Sequence, residues 1–214
     1  MKKILSGLII SLAAAPALAH HPLSGMPMET FAHGLLSGVG HPLLGFDHLF
    51  FVALAGIAAV FAGRRLLAPL AYIAAMAGGC LVAALWTSVP ASELMITISL
   101  LVLGSMLLSG RQFGLSTVLL TFAVFGIFHG AGLGESLANQ EAGFGSQVLI
   151  GYLLGLGVIQ YAIALAAGWV CSGFWKVSRE SAIRPRLAGA MVAGAGLYLT
   201  LEHLESSLLR VISS

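Results

Sequence analysis

The chain has 214 residues, of which 58% are hydrophobic and only 8% are charged. Soluble domains average roughly a quarter charged residues, so this composition excludes an ordinary soluble domain and indicates a membrane protein. The formal net charge of +2 comes without a basic stripe, which argues against nucleic-acid binding. Cys80 and Cys171 lie far apart in apolar stretches, so neither a disulfide scaffold nor a thiolate metal site is indicated.

The N-terminal stretch MKKILSGLIISLAAAPALA is typical of a cleavable secretory signal peptide. Its apolar run is shorter than the ~20 residues that a membrane-spanning helix needs. Ala17-Leu18-Ala19 fits a cleavage site. We therefore predict a signal peptide over residues 1–19, an exported segment over 20–41 and a transmembrane domain over 42–214. The alternative is that the first stretch remains as an uncleaved helix.

Six hydrophobic segments predict an all-α membrane protein, a bundle of about six transmembrane helices that follows the signal peptide. The segments are 42–62, 67–87, 92–109, 113–135, 146–172 and 187–209. Their short connections leave no room for a soluble domain. The sequence GYLLG, from Gly151 to Gly155, has the small-xxx-small spacing that suits close helix packing.

The basic residues predict the orientation of the bundle. With the mature N-terminus outside, seven basic residues fall on the inside: Arg64, Arg65, Arg111, Lys176, Arg179, Arg184 and Arg186. Only Arg210 remains outside, which satisfies the positive-inside rule. We expect a protein of the inner membrane of a bacterium, with both mature termini on the exterior side. Acids and histidines gather in the outer half, which suits a divalent cation that arrives from outside.

The stretch HPLLGFDH places His41, Asp47 and His48 where the first span begins. Pro42 fits the first turn of a helix, which puts Asp47 and His48 in the second turn. Ionisable side chains at such positions normally face the bundle interior and carry function. His41 and His48 are seven residues apart and would share a helical face, with Cα atoms about 10 Å apart. They either lean toward one ion or form successive stations; the alternative is a structural Asp–His pair.

The stretch FHGAGLGE carries His129 and Glu135 in the fourth span, with three glycines between them. The two residues are six apart, so an ideal helix directs them about 120° away from each other. Either they contact different partners, or the glycines allow the helix to unwind so that freed carbonyls can bind ions. Simple close packing through glycine is the alternative.

These two stretches resemble the motifs of the HupE/UreJ family of nickel permeases, and the resemblance covers nearly the whole chain. Many members carry a further histidine four positions after the first in the second motif, where this chain has Leu133, and Glu141 takes the place of a later acid found in one branch. The matching residues are His41, Pro42, Gly45, Asp47 and His48 in the first motif, and Phe128, His129, Gly130, Gly134 and Glu135 in the second.

The resemblance implies passage of Ni²⁺ or Co²⁺ into the cytoplasm without a nucleotide-binding subunit and without a tightly bound cofactor. Four further positions are weaker metal-ligand candidates: His20, His21, Glu141 and His203. His20 and His21 would begin the exported segment beside a free amine, a combination that chelates Ni²⁺ or Cu²⁺. His203 lies in LEHLE near the end of the last span, where a polar helix terminus is the alternative.

The predicted function is therefore membrane uptake of nickel or cobalt ions for hydrogenase or urease maturation, and not an enzymatic one. We expect His41, Asp47, His48, His129 and Glu135 to line one pocket that opens to the outside. Two alternatives remain at this stage. One is an intramembrane zinc hydrolase, in which three protein ligands hold a metal that activates water. The other is a metal-binding sensor or accessory membrane protein.

Overall fold

The computed structural model describes residues 27–140 and 144–213. All the regular secondary structure in these residues is helical. The expected signal peptide, His20, His21 and Glu141 lie outside these residues. The seven α-helices are α1 (Phe31–Leu44), α2 (Phe46–Phe61), α3 (Ala68–Leu85), α4 (Ser92–Ser109), α5 (Leu115–Gln140), α6 (Ser146–Trp169) and α7 (Ile183–Ser213). A π-helical turn, Val170–Phe174, extends α6.

Helices α3 to α7 are each long and apolar enough to cross a membrane. Together α1 and α2 pass the same test, although the axes of the two helices differ by 81°. Counting this bent pair as one broken span gives six spans, so the predicted all-α bundle of about six transmembrane helices is confirmed. The first span differs from the prediction, because an additional helix precedes residue 42.

The bend between α1 and α2 lies at Gly45. The backbone of Gly45 is extended, with φ −84° and ψ 99°, although its N–H still donates to the His41 carbonyl at 2.9 Å. Pro42 lies inside α1 and not in the first turn of a span, so that prediction is wrong. The first helix begins earlier than expected, at Phe31. Thr30 caps it, because the Thr30 side chain accepts from the N–H of His33 at 3.2 Å.

Helix α1 packs against the first half of α6 through glycines on both helices. A Cβ at Gly34 or Gly38 would collide with the backbone of α6, and a Cβ at Gly151 or Gly155 would collide with that of α1. Close packing at the GYLLG sequence is therefore confirmed, with α1 as its partner. Further along, Gly56 of α2 meets the second half of α6 in the same way. The broken span thus follows α6 along its length.

Charged residues separate between the two ends of the bundle. The connections 62–67, 110–114 and 175–182 lie at one end, where Phe61, Arg111 and Glu180 line a common small cavity. We name this the basic end, because it carries the basic residues Arg64, Arg65, Arg111, Lys176, Arg179, Arg184 and Arg186. The opposite, acidic end holds the 86–91 connection together with Asp47, Glu93, Glu135 and Glu202.

Candidate metal centre

Two histidines from separate helices meet inside the bundle. His48 lies in the first turn of α2, directly after the break at Gly45, and His129 lies in the middle of α5. Their Nδ1 atoms are 2.6 Å apart. His129 has no exposed surface and His48 is 6% exposed. The structure therefore joins the two sequence motifs through one imidazole from each.

Ser99 of α4 determines which ring nitrogens carry hydrogen. Its hydroxyl donates to the Ile96 carbonyl at 2.6 Å, so its oxygen accepts from His129 Nε2–H at 2.8 Å. A neutral imidazole has one N–H, which leaves Nδ1 of His129 with a lone pair. That lone pair accepts from Nδ1–H of His48. The sequence of hydrogen bonds therefore aims an unprotonated nitrogen of His129 at His48.

Aromatic side chains surround the histidine pair. The Phe51 ring lies 4.6 Å from the His129 ring, centroid to centroid, and the Tyr72 ring approaches it edge-on at 5.9 Å. Phe125 packs on Phe51 in turn. All three aromatic residues are buried. Because these rings leave little freedom of movement, the position of His129 is set by packing as well as by its hydrogen bonds.

Helix α5 passes through its three glycines without interruption, so unwinding at this segment is wrong for this structure. Gly130 faces the Met76 carbonyl and Gly134 faces the Cys80 carbonyl, so closely that a Cβ at either would collide with α3. Small residues allow helices in a membrane to approach to backbone contact. The glycines thus hold α5 against α3 and fix the depth of His129.

A cleft of about 580 Å³ opens beside the pair at the acidic end. Asp47, the neighbour of His48, lines it, and its Oδ1 accepts from the His48 backbone N–H at 2.8 Å. Across the cleft, His203 Nδ1 lies 4.0 Å from Glu93 Oε2. The lining of the cleft therefore includes the carboxylate that adjoins His48 in the chain. It is lined by Leu44, Gly45, Phe46, Asp47, Glu93, Ile96, Thr97, Leu199, Glu202, His203 and Ser206.

Two of the predicted ligands contact other parts of the protein. Glu135 instead holds the 86–91 connection: its Oε1 accepts from the Val89 N–H at 2.9 Å and its Oε2 from the Ser92 hydroxyl at 3.2 Å. His41 lies on α1 with its ring edge against Tyr152, at 6.3 Å. His41 and His48 do not share a helical face, because the break at Gly45 puts them on different helices.

Within residues 27–140 and 144–213, no three His, Cys, Asp or Glu side chains are arranged so that they could hold one metal ion. The five predicted ligands thus divide into a buried pair, one carboxylate at the cleft and two residues elsewhere. A zinc hydrolase needs three protein ligands and a bound water. That alternative has no ligand set of this kind among the described residues.

The protein-family comparison matches residues 8–199 to the HupE / UreJ protein family. The chain belongs to the HupE/UreJ family. Protein HupE of Rhizobium leguminosarum bv. viciae is 25% identical over 198 residues, which cover 89% of this chain and 94% of the relative. No solved structure matches the chain significantly. The family is a transporter-type family associated with nickel and cobalt transport for hydrogenase and urease, and this member is a multi-pass membrane protein.

Three polar residues near the histidine pair of this HupE/UreJ protein were not predicted from its sequence. They are Ser99, which orients His129, and Tyr72 and Gln160, which lie nearby. Gln160 carried a usable signal, since it is the only amide inside the long apolar run of α6. Ser99 carried none, because hydroxyl side chains are common in membrane helices and can bond to their own backbone.

Proposed function

We propose that this protein is a permease that carries nickel or cobalt ions across a bacterial membrane into the cytoplasm, for use in hydrogenase or urease maturation. One observation carries the proposal: imidazoles from both family motifs meet in the interior of a membrane bundle, beside a charged cleft. Ionisable residues are costly inside a membrane and mark ion pathways when they face the bundle interior. Family membership supports the same class of function.

His48 and His129 are the proposed primary ligands. Imidazole suits Ni²⁺ and Co²⁺, and it binds first-row metals with metal–nitrogen distances of about 2.0–2.1 Å, as for zinc. Two nitrogens on one such ion are about 3 Å apart. The 2.6 Å separation of the two Nδ1 atoms is close to this value, so a small movement of the rings admits an ion between them. His48 then transfers its Nδ1 hydrogen to Nε2 and remains neutral.

Asp47 and the other side chains of the cleft supply the entrance. The positive-inside rule puts the basic end in the cytoplasm, so the cleft opens to the exterior. A cleft lined by carboxylates raises the local concentration of cations. Asp47 lines this entrance and adjoins His48 in the chain, and it is the proposed first carboxylate to replace water on the arriving ion. Glu93, Glu202 and His203 act further out.

Glu135 and His41 have supporting roles in this proposal. Glu135 holds the 86–91 connection at the acidic end, next to a cavity of about 350 Å³ that it lines with Asn139. His41 packs on Tyr152 and precedes the break that positions His48. Both residues belong to the family motifs, and both act on the ion only when the surrounding helices move. The smaller set of two ligands also favours fast release over tight binding.

The test is uptake of radiolabelled Ni²⁺ into liposomes that contain the purified protein. His48→Ala and His129→Ala should each reduce uptake to the level of empty liposomes, because each removes half of the proposed ligand pair. His33→Ala is the matched control: His33 lies on α1, where its Nδ1 accepts from the Glu29 backbone N–H. Excess unlabelled Co²⁺ should compete with the wild-type signal.

Two results would contradict the proposal. Uptake that is equal in wild type and in His48→Ala would remove the pair from the pathway. Binding of Ni²⁺ by the wild type without any flux would favour the sensor or accessory protein. Circular dichroism of each variant confirms that the helices remain, so a loss of uptake is assigned to the ligands and not to unfolding.

A further inference from the structure

Two buried oxygen atoms near the histidine pair have no hydrogen-bond partner. They are Oη of Tyr72 and Oε1 of Gln160, and within the described residues the only other fully buried side-chain atom of this kind is Oγ of Ser37. Tyr72 is 1% exposed and Gln160 has no exposed surface. Buried polar groups in proteins are almost always paired, so each exception calls for an explanation.

Met76 connects the positions of Tyr72 and Gln160. Tyr72 and Met76 are four residues apart and lie on one face of α3. Gln160 of α6 donates from Nε2 to Met76 Sδ at 2.8 Å. The Tyr72 ring also contacts the His129 ring. The side chains that carry a phenol oxygen, an amide oxygen and a thioether sulfur are thus linked to one another and to His129 by one ring contact, one hydrogen bond and one shared helical face.

This cluster extends from the level of the histidine pair toward the basic end of the bundle. Helix α3 begins at the basic end with Ala68, so Tyr72 is one turn nearer that end than Met76. Met76 packs against Gly130, the neighbour of His129. The cleft approaches the pair from the opposite direction, through Asp47. From the acidic end, the cleft therefore comes first, the histidine pair lies level with Met76, and Tyr72 lies one turn nearer the basic end.

The unpaired oxygens are unfavourable for stability. A buried hydroxyl or amide without a partner costs about 1–3 kcal/mol in proteins, whereas an apolar group of the same shape costs nothing of this kind. Phenylalanine would fill the space of Tyr72 without that penalty. A polar group that destabilises the fold has a functional explanation when it borders a transport pathway.

We propose that Tyr72 Oη, Gln160 Oε1 and Met76 Sδ form a transfer site that receives the divalent ion from His48 and His129. The proposal rests on the proposed function and extends it. All three ligands are neutral, so the site binds the ion weakly and releases it toward the basic end. Neutral oxygen and thioether donors suit Ni²⁺ less well than imidazole does, which agrees with weak binding and release at this site.

The test compares ion binding, transport and stability in Tyr72→Phe and Gln160→Leu. Both substitutions keep the side-chain volume nearly constant and remove one of the unpaired oxygens. Tyr161→Phe is the matched control, because Tyr161 adjoins Gln160 on α6 and its hydroxyl already donates to the Leu66 carbonyl at 3.1 Å. The measurements are Ni²⁺ affinity by calorimetry in nanodiscs, initial uptake rate in proteoliposomes and melting temperature.

We expect the uptake rate to fall about tenfold in each variant. A polar contact to an ion is worth about 1.4 kcal/mol or more, and a loss of that size lowers a rate about tenfold. Ni²⁺ affinity should stay at the wild-type value, because the histidine pair is intact. The melting temperature of Tyr72→Phe should be unchanged or higher, since this variant removes only an unpaired hydroxyl. Tyr161→Phe should transport at the wild-type rate.

Three results would overturn the transfer site. Wild-type uptake in both variants shows that the oxygens play no part in transport. A lower melting temperature of Tyr72→Phe shows a structural role for its hydroxyl, and a weaker Ni²⁺ affinity shows that the oxygens only support the histidine pair. Failure of the proposed function looks different: the wild type itself would then show no flux, or His48→Ala would transport normally.

Discussion

Glycine has opposite structural roles in the two motif segments, His41–His48 and Phe128–Glu135. In the first, the single Gly45 leaves helical geometry and the chain turns between α1 and α2. In the second, three glycines stay inside one continuous helix. Each segment delivers one histidine to the same point, His48 by a turn in the chain and His129 by close helix packing.

This difference shows that the environment of a glycine decides its role. Gly130 has α3 directly against it, so its missing side chain is used for contact between backbones. A Cβ at Gly45 would be 3.1 Å from the nearest atoms, which belong to the side chains of Asp47 and His48. Gly45 supports a change of chain direction, and Gly130 supports a fixed distance between two helices.

The largest expected effect is that of Gly130→Ala. The added Cβ would strike the Met76 carbonyl, so α3 and α5 must separate, and overpacking of this kind costs about 1–3 kcal/mol. We expect a lower melting temperature and uptake near background, because the separation also moves His129. Gly45→Ala is the comparison, with φ −84° already accessible to alanine and only a small loss of stability expected. Equal melting temperatures for the two variants would contradict the contrast drawn between these glycines.

Ser99→Ala should have the next largest effect. It removes the acceptor that holds Nε2–H of His129, and loss of a group that orients a metal ligand typically reduces affinity about 10–100-fold. Ni²⁺ titration of the purified protein measures the change. Ser109→Ala is the matched control, because Ser109 donates to the Met106 carbonyl on the same helix and accepts from the Arg111 N–H, and within the described residues it has no hydrogen bond to a histidine. An unchanged affinity in Ser99→Ala would mean that packing alone orients His129.

Much of this arrangement was predictable from the sequence, since hydropathy gives the all-α bundle and the two motifs name the histidines that meet. The failures have physical causes. Helical periodicity assumes a continuous helix, so the shared face of His41 and His48 did not survive the bend at Gly45. Glycine spacing does not reveal whether a neighbouring helix is present, so unwinding and close packing looked alike. The roles of Ser99 and Gln160 depend on contacts with residues more than 25 positions away in the chain, so the local sequence does not reveal them.

Substitutions of Glu135 test whether this residue is a metal ligand or only holds the 86–91 connection. Glu135→Gln keeps an oxygen for the Val89 N–H and a polar group beside Ser92, so we expect uptake and Ni²⁺ affinity close to wild type. Glu135→Ala loses both hydrogen bonds and should destabilise the protein by about 1–3 kcal/mol. Thermal melting and uptake measured side by side separate the cases. A strong loss of affinity in Glu135→Gln would make the carboxylate a direct ligand.

The smallest effect is expected for the exposed acids of the cleft. Glu93→Gln should slow uptake at low ionic strength and have almost no effect at high salt, because attraction between exposed charges is screened beyond about 8–10 Å at physiological ionic strength. Initial uptake rates at two salt concentrations test this, with Glu205→Gln, which does not line the cleft, as control. A loss that persists at high salt would indicate direct coordination by Glu93.

The central claim is that His48 and His129 bind one ion together. A double-mutant cycle of Ni²⁺ affinity, with His48→Ala, His129→Ala and the double variant, tests it most directly. The account predicts that either single substitution removes most of the affinity and that the second adds little. Affinity losses that simply add would contradict it, because they would place the two histidines at independent sites.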